Sequence, residues 1–549
     1  MSEASSNHNE TSLFRINEKY LSENFKEKVK KCLSGEGETS YPFPHFSLEN
    51  FLSDETVIKK LYSELQQATW SRKENDLYSL NQTTDLSNFD HEKFPILHQF
   101  RNFMHDSVKD WLQLSTGVVL NDKVAITGSE YREADLLLPH DDRLEERKFA
   151  FIFYLSPDWC EEFGGSLNLY DHIPEENRPS QIAKSLVPKA NNFVFFQVQA
   201  NSWHSVSEVI CKDKSRLSLN GWFHADNTPL APEPKPEAGL PRIRPSLDIT
   251  LADVYETISQ NYTRPDEQKR IKRKFAAQSE LVLQNFLSPE KYQAVLEELK
   301  SAQFDPIGPT DKRNVGRLDE SKLGDNSALK ILISLIQSEA LTLLLTQWTG
   351  LKLYDVKKHR NSEPAQKRIK LDENHGENSH SSGVGNSSSS RDVELVYFLD
   401  RYEHGSYSLA DDQLAADAAN NGFCLDLLLF FSDDEKWPED AGGFISYAGV
   451  NEPNEILRVS PTKNSAAIVF REPEVLHFTK YVNLRAGSRR FYVLNCSFFG
   501  ISNEDSESED SLEDEDELSD GLCAEFDDSE IDDELVPEDE EGLVPDEEP

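Results

Sequence analysis

The chain has 549 residues, a length that suits two or three domains with sizeable cores. Its net charge is −42. Its six cysteines are scattered without a Cys-x-x-Cys pair, which argues against a disulfide framework or a cysteine zinc site. The N-terminus is polar, and no apolar run approaches the roughly 18 residues of a membrane span. We therefore expect a soluble protein of a reducing compartment, without signal peptide or membrane segment.

The chain repeats itself in order. The stretch LENFLSDE (48–55) matches LQNFLSPE (283–290) at six of eight positions. In both copies an amphipathic helix pattern follows, TVIKKLYSELQQATW in the first and KYQAVLEELKSAQF in the second. Further pairs keep the order: STGVVL with WTGLKL, GGSLNLY with GGFISYA, and NNFVFFQVQANSWH with NSAAIVFREPEVLH. The repeats predict two homologous domains, residues 39–230 and 276–500.

Each predicted domain opens with a helical segment and continues as short apolar, aromatic and β-branched runs broken by Gly, Pro, Asn and Asp. Such runs are typical of an antiparallel sandwich or jelly roll. We expect a mainly β protein with flanking helices (α+β), built from two tandem double-stranded β-helix (jelly-roll) domains of which the second is degenerate. Four segments are expected outside them: a disordered N-terminus (1–38), a Pro-rich linker with a basic segment (231–275), a disordered insertion (357–391) and an acidic disordered tail (501–549).

A candidate metal site begins in LLLPHDDRLEERKFAFIFYLSPDW (136–159). Residues two apart on a strand share a face, so His140 and Asp142 could chelate one ion while Asp141 points into solvent. An ordinary loop remains the alternative, because two ligands are weak evidence. His204, which ends a strong β run, is the candidate third ligand, although a lone histidine there could be a core or rim residue. Two histidines and a carboxylate with open positions are the ligand set of non-haem Fe(II) oxygenases.

A basic group follows the candidate ligands. Arg216 lies 12 residues after His204, in KSRLSLNGWFH, and strand alternation places Trp222 on the same face. An arginine that faces the interior of a jelly roll is costly unless it meets an anion, and its planar fork suits a carboxylate. The Tyr154 hydroxyl could reach the same carboxylate. Trp222 is expected either to wall the pocket or to belong to the ordinary core.

The order of these motifs resembles that of 2-oxoglutarate-dependent prolyl hydroxylases: H-x-D, FIFYL-x-P-x-W, GG, a distal His, then Arg. The stretches NDLYSLNQTTDL, LPHDDRLEERKFAFIFYL, QIAKSLVP and KSRLSLNGWFH are similar to one branch, the OGFOD/Tpa/Sudestada family of ribosomal prolyl 3-hydroxylases. The resemblance extends over residues 40–500 and is more specific in the first domain than in the second.

The resemblance implies that His140, Asp142 and His204 bind Fe(2+), and that Arg216 and Tyr154 bind 2-oxoglutarate. It further implies O2 as co-substrate and ascorbate as reductant. The implied substrate is a prolyl residue of the decoding-centre protein of the small ribosomal subunit, whose modification affects translation. The ribosome or translation-termination factors are possible further partners, and neither direct DNA binding nor membrane binding is expected.

The second copy is predicted to have lost its site. Alignment of SLADDQ (408–413) with the H-x-D segment puts Ala410 at the place of His140, with His477 and Arg490 near the places of His204 and Arg216. Alanine offers no ligand, so we expect a catalytically inactive jelly roll that serves packing or substrate docking.

Two other function classes stay open at this point. One is a ribosome- or RNP-associated binding scaffold, and the other is an oxygenase for another protein side chain or for nucleic acid. The five intact candidate residues of the first domain favour the prolyl hydroxylase over the scaffold.

Charged segments bear on location and partners. The cluster PAQKRIKLD (364–372) looks like a nuclear import signal, RIKRKF (270–275) is a weaker one, and we expect a nuclear and cytoplasmic protein. Residues 503–549 hold 25 acidic residues and no Lys or Arg. This tail either only solubilises the chain or steers a basic partner towards it.

Overall fold

The computed structural model describes residues 13–144, 146–226, 239–353, 393–410, 422–450 and 455–501. Within them lie two eleven-stranded antiparallel sheets. The first contains β1 (His45–Glu49), β2 (Ser71–Glu74), β3 (Tyr78–Asp85), β4 (Val124–Tyr131), β5 (Leu136–His140), β6 (Arg147–Tyr154), β7 (Leu167–Ile173), β8 (Arg178–Leu186), β9 (Asn192–Gln197), β10 (His204–Val206) and β11 (Arg216–His224). The second contains β12 (Glu280–Gln284), β13 (Phe304–Ile307), β14 (Arg313–Leu318), β15 (Glu394–Tyr402), β16 (Tyr407–Ser408), β17 (Phe423–Ser432), β18 (Ile445–Gly449), β19 (Glu455–Val459), β20 (Ser465–Arg471), β21 (Val475–Thr479) and β22 (Phe491–Ile501).

The two sheets have the same topology. The strand order of the first is β1-β9-β6-β11-β4-β3-β5-β10-β7-β8, with β2 paired to β3. The second repeats it strand for strand as β12-β20-β17-β22-β15-β14-β16-β21-β18-β19, with β13 paired to β14. Both sheets curl into jelly rolls, which confirms the predicted mainly β fold and the internal repeat.

Helices cover one outer face of each jelly roll. The first has α1 (Glu23–Leu33), α2 (Thr56–Leu65), α3 (Pro95–Phe103) and α4 (Lys109–Thr116); the second has α5 (Leu251–Thr257), α6 (Pro265–Gln278), α7 (Pro289–Ser301), α8 (Ala328–Ile336) and α9 (Glu339–Thr349). Helix α2 buries Val57, Leu61 and Leu65, which recur at helical spacing. Phenylalanines dominate the core beneath the first set, where the rings of Phe51 and Phe193 stack with centroids 4.4 Å apart.

The N-terminal segment is a correction to the sequence analysis. Residues 13–38, expected to be disordered, include α1, whose Ser22 side chain accepts a hydrogen bond from the Phe25 amide at the helix start. Val29 and Cys32 on this helix are buried, because the apolar positions form one stripe among the lysines. Residues 1–12 lie outside the described part.

The predicted linker is a second correction. Residues 251–257 and 265–278 form α5 and α6, and Val254, Ile271 and Phe275 belong to the core of the second jelly roll. The capping box of Thr250 and Asp253 fixes the start of α5. The prolines thus precede an ordered part of the second domain. Residues 227–238, the insertion 357–391 and residues 502–549 of the tail lie outside the described residues.

The two jelly rolls share an apolar and polar interface. Leu136 and Leu138 of β5 cluster with Tyr407 of β16 and with Leu409, which follows it. The buried Glu208 carboxylate accepts hydrogen bonds from the Leu484 amide, at 2.7 Å, and from His404 Nε2, at 2.6 Å. A further buried ion pair, Arg178 with Asp311 at 2.5 Å, also crosses the interface. Buried charges on both sides require this pairing, since either would be costly alone.

In the part of the chain that the structure describes, no helix is both long and apolar enough to cross a membrane.

Candidate active site

Three possible metal ligands converge inside the first jelly roll. His140, the last residue of β5, pairs directly with His204, the first residue of β10. Asp142 lies between them, with its carboxylate oxygens 3.5 Å from His140 Nε2 and 3.4 Å from His204 Nε2. The donor atoms of the three residues lie within 4.8 Å of one another. This spacing is that of a preformed three-ligand metal site.

The carboxylate reaches the site by a turn and not by strand alternation. Strand β5 ends at His140, and Asp142 adopts a left-handed backbone conformation with φ of 62°. Left-handed conformations are uncommon for residues other than glycine and concentrate at functional sites. The expected convergence of His140 and Asp142 is therefore present, but its geometric cause differs from the one that the strand pattern suggested.

Backbone carbonyls fix the tautomer of both histidines. Nδ1 of His140 lies 2.9 Å from the Leu138 carbonyl oxygen, and Nδ1 of His204 lies 2.8 Å from that of Ser202. A carbonyl can only accept, so each Nδ1 carries a hydrogen, and Nε2 is the ring atom turned towards Asp142 in both histidines. Such outer contacts orient metal-bound histidines in proteins.

The electrostatics suit a cation between these groups. Burial lowers the pKa of His140 to about 4, assisted by the neighbouring charge of His204. Burial would raise the pKa of Asp142, but His204 and the Trp222 indole hold it below its usual value. Burial would lower the pKa of His204, but Asp142 raises it, so a divalent metal that binds the neutral imidazoles and the ionised carboxylate competes with a proton at this ring.

Two further side chains hold the Asp142 carboxylate. Trp222 donates from Nε1 to Asp142 Oδ2 at 3.1 Å, so this residue does more than wall the pocket. The Arg147 guanidinium lies 3.6 Å from the centre of the Trp222 ring and 3.7 Å from Asp142 Oδ1. The sequence analysis missed Arg147, because only the pairing of β6 with β11 in the folded chain brings it beside Trp222.

Asp141 was expected to be a solvated loop carboxylate, and this expectation was wrong. Its side chain is only 13% exposed and pairs with the Nε atom of Arg143 two residues later. The Arg143 amide also donates to it, at 3.2 Å. Asp141 thus stabilises the turn that presents Asp142.

A cavity of about 550 Å³ connects the three candidate ligands with Arg216. Arg216 is 2% exposed, donates from Nε to the Gly165 carbonyl at 2.7 Å, and has Nη2 3.4 Å from the Tyr154 hydroxyl. Its guanidinium also lies over the Tyr131 ring, 4.8 Å from the ring centre. Tyr131 is a cavity residue that the sequence analysis did not single out, since only the pairing of β4 with β11 places it there.

The cavity fits a dicarboxylate co-substrate. Among the described residues, the polar contacts of Arg216 are the Gly165 carbonyl and the Tyr154 hydroxyl and include no carboxylate, so the charge of this buried cation is uncompensated. Burial raises the pKa of Tyr131 to about 12 and also raises that of Tyr154, which keeps both hydroxyls protonated as donors. An anion entering from the metal end meets a guanidinium and a phenol, a good environment for a carboxylate.

Strand register agrees with one predicted correspondence in the second jelly roll, that of His477, and corrects the other, that of Arg490. His477 pairs with Tyr447 as His204 pairs with Leu169, which places His477 at the position of His204. Arg490, however, is exposed, and the residue at the place of Arg216 is Phe491.

The alignment of Ala410 also changes. Ser408 pairs with Thr479 where Leu137 pairs with Val206, so Ala410 corresponds to Pro139 rather than to His140. The DDQ segment that follows Ala410, residues 411–413, lies outside the described residues. Phe430 occupies the position of Tyr154.

Comparison with known proteins agrees with this chemistry. Residues 126–224 match the family model of the 2OG-Fe(II) oxygenase superfamily. Residues 250–507 match that of the oxoglutarate and iron-dependent oxygenase degradation C-terminal domain.

Curated relatives cover most of the chain. Prolyl 3-hydroxylase OGFOD1 of Mus musculus is 34% identical over 81% of this chain and 85% of its own length. Prolyl 3-hydroxylase sudestada1 of Drosophila melanogaster is 30% identical over 79% of each chain. A crystal structure of a Pseudomonas putida prolyl-4-hydroxylase covers 36% of this chain and 98% of its own, at 18% identity and a TM-score of 0.29. By its similarity to the mouse and fly relatives over most of its length, the chain belongs to the prolyl 3-hydroxylase family of 2-oxoglutarate- and iron(II)-dependent oxygenases.

Proposed function

We propose that this protein hydroxylates carbon 3 of a prolyl residue in the decoding-centre protein of the small ribosomal subunit. Fe(II), 2-oxoglutarate and O2 take part, and ascorbate maintains the reduced iron. The motif resemblance to ribosomal prolyl 3-hydroxylases supports the substrate, and the names of the relatives support the prolyl ring as the target.

One observation carries the proposal: a three-ligand site and an uncompensated buried arginine lie in the same cavity. His140, Asp142 and His204 would hold the iron, with two imidazoles and one carboxylate as its protein ligands. Arg216 and Tyr154 bind the far carboxylate of 2-oxoglutarate. The bound iron and 2-oxoglutarate supply the oxidising chemistry that converts a C–H bond into C–OH.

The chain's own residues orient and protect the reacting groups. The Leu138 and Ser202 carbonyls keep both imidazoles turned towards the metal, and Trp222 keeps the Asp142 carboxylate in place. The cavity wall holds apolar side chains, among them Leu167, which exclude water around the co-substrate. A prolyl ring entering the open end is then held against the reactive centre, so that positioning supplies much of the rate.

The test uses purified full-length protein with Fe(II), 2-oxoglutarate, ascorbate and the intact decoding-centre protein. We expect succinate release coupled to a gain of one oxygen atom on a single proline, assigned to carbon 3 by NMR of the modified peptide. The Asp142→Ala variant is the matched control and should give neither product. Succinate release without oxygen on any proline would contradict the prolyl substrate, although it would leave the oxygenase chemistry intact.

We further propose that the protein occurs in both nucleus and cytoplasm. The cluster 364–372 supports this proposal but lies outside the described residues. The weaker segment, 270–275, lies on α6, where Ile271 and Phe275 are buried and the basic side chains between them are exposed. A reporter fusion without residues 364–372 should leave the nucleus, and unchanged nuclear concentration would contradict this assignment.

A further inference from the structure

The hairpin formed by β2 and β3 separates two cavities of the protein. On one side, Lys73, Tyr78, Leu80 and Gln82 line the catalytic cavity. On the other side, Arg72, Glu74, Ser79 and Asn81 line a polar cleft of about 490 Å³ between the two jelly rolls. This division follows from strand alternation, because neighbouring residues point to opposite faces. We call residues 71–82 the β2–β3 hairpin; it is the wall between the cavity and the cleft.

The second jelly roll holds the tip of this hairpin. Lys480, which is 7% exposed, donates from Nζ to the carbonyl oxygens of Asn75 and Tyr78, the latter at 3.3 Å. Its ammonium also lies 3.4 Å from Glu74. A buried ammonium needs several acceptors, and here most of them belong to the hairpin backbone. The tip is thereby fixed by a charge that another domain supplies.

Two further contacts act on the same turn. The Ala410 amide donates to Asp76 Oδ2 at 3.0 Å, and Leu77 packs against the apolar cluster that contains Leu409 and Tyr407. Leu77 also lines the catalytic cavity. Asn75, Asp76 and Tyr78 of this turn thus contact the second jelly roll directly, and Leu77 packs against an apolar cluster that both jelly rolls share.

We propose that Lys480 of the second jelly roll is a positioning residue, which holds the β2–β3 hairpin as the substrate-side wall of the catalytic cavity. The inactive domain then contributes to substrate affinity through the hairpin and not through a site of its own. Neither the metal ligands nor Arg216 contact Lys480 in the structure, so metal and 2-oxoglutarate binding do not depend on it. This inference rests on the proposed function for its kinetic readout only.

The experiment compares full-length wild type with Lys480→Met by hydrogen exchange and by kinetics. The hairpin amides, residues 71–82, should exchange at least about fivefold faster in Lys480→Met, as expected when a charged hydrogen-bond donor is lost. The KM for the intact decoding-centre protein should rise by a similar factor. The KM for 2-oxoglutarate and the affinity for Mn²⁺, used as a metal probe, should stay unchanged.

Two more variants keep the test decisive. Asp76→Ala cuts a different contact of the same turn and should accelerate hairpin exchange in the same direction, even if Lys480→Met misfolds. Lys436→Met removes an exposed lysine of the same jelly roll, paired with Glu439, and should change nothing. Wild-type hairpin exchange in both Lys480→Met and Asp76→Ala would overturn the inference. If the wild type fails to hydroxylate the substrate, the proposed function fails, while the exchange result still decides the role of Lys480.

Discussion

The two jelly rolls share one topology, but each has a buried arginine in its interior with a different kind of surroundings. In the first, Arg216 lies in a cavity of about 550 Å³ with no carboxylate of the described chain paired to it. In the second, Arg471 pairs with Asp426 at 2.9 Å and both are at most 1% exposed, while the pocket beside His477 has a volume of only about 30 Å³. The first roll leaves the space beside its arginine open for a ligand, whereas the second supplies a carboxylate to its own arginine, which does not occupy the place of Arg216.

The positions of these residues explain the difference. Asp426 stands where the first roll has Ala150, a small residue that lines the cavity. Ser497, at the place of Trp222, donates to the same carboxylate at 2.6 Å. Arg471 lowers the pKa of Asp426 far below its usual range, although burial opposes this shift. A retained fold therefore says nothing about a retained site, because the strand pairing does not depend on what fills the interior.

The largest expected effect breaks the first roll only. His140→Ala removes one of three ligands and should lower metal affinity by more than about 100-fold, with hydroxylation lost. His477→Ala, at the place of His204 in the second roll, should leave the metal content at one ion per chain. Metal analysis of both purified variants checks this. Two ions in the wild type, or metal loss in His477→Ala, would contradict the reading of the second roll as metal-free.

The second prediction breaks the second roll only. Asp426→Ala leaves Arg471 buried without its partner and should destabilise the protein by about 3–5 kcal/mol, as for other broken buried pairs. Denaturant unfolding measures the loss. Asp426→Ala in combination with Arg471→Met should recover much of it, because the uncompensated charge is then gone. A single Asp426→Ala variant with wild-type stability would show that the pair does not fill the interior as described.

The third prediction concerns the open anion position. Arg216→Met should raise the 2-oxoglutarate requirement about 30-fold or more, since a buried charge partner of the co-substrate is lost. Metal affinity should change little, because Arg216 contacts none of the three ligands directly. Titration of 2-oxoglutarate in the turnover assay measures this, with the exposed Arg132→Met as control. An unchanged requirement would place the co-substrate elsewhere in the cavity.

The smallest expected effect is a pH dependence of the stability of the first roll. His45 on β1 has Nδ1 2.8 Å from the Phe43 carbonyl and Nε2 3.1 Å from Lys184 Nζ, so the ring is neutral and burial lowers its pKa to about 4. The unfolded chain, with a histidine pKa near 6.5, takes up the proton first as pH falls. Stability should therefore be full above about pH 6.5 and decline towards pH 4.

The size of this decline can be isolated. At pH 5, His45 should lower the free energy of unfolding by about 2 kcal/mol relative to pH 7. This value follows because pH 5 lies about 1.5 units below the histidine pKa of the unfolded chain. The second roll has Glu280 at this position, so the effect belongs to the first roll. Unfolding of wild type and His45→Gln across pH 4–7 gives the difference between the two slopes. Parallel curves would assign the acid sensitivity to other groups.

Much of the fold was readable from short patterns. The repeated stretches and the spacing of short β runs predicted two jelly rolls, because hydrophobic periodicity reports which faces must be buried. The helix α1 escaped notice, since its stripe of apolar residues lies within a lysine-rich segment. The linker prediction also failed. The prolines precede the helices, the basic residues lie on the exposed face of α6, and the buried residues of this helix are Ile271 and Phe275, too few to give a clear pattern.

The sequence by itself determined the candidate site residues: a His-x-Asp pair, a distal histidine and an arginine, in an order that local chemistry makes recognisable. Only the tertiary structure decided what surrounds them. Arg147 beside Trp222, Tyr131 beside Arg216, and Phe491 in place of Arg216 all follow from strand register, which sequence spacing does not fix across gaps. Lys480 reaches the hairpin some 400 positions away in the chain. Contacts of that kind depend on how two domains pack, and packing is a property of the folded surface.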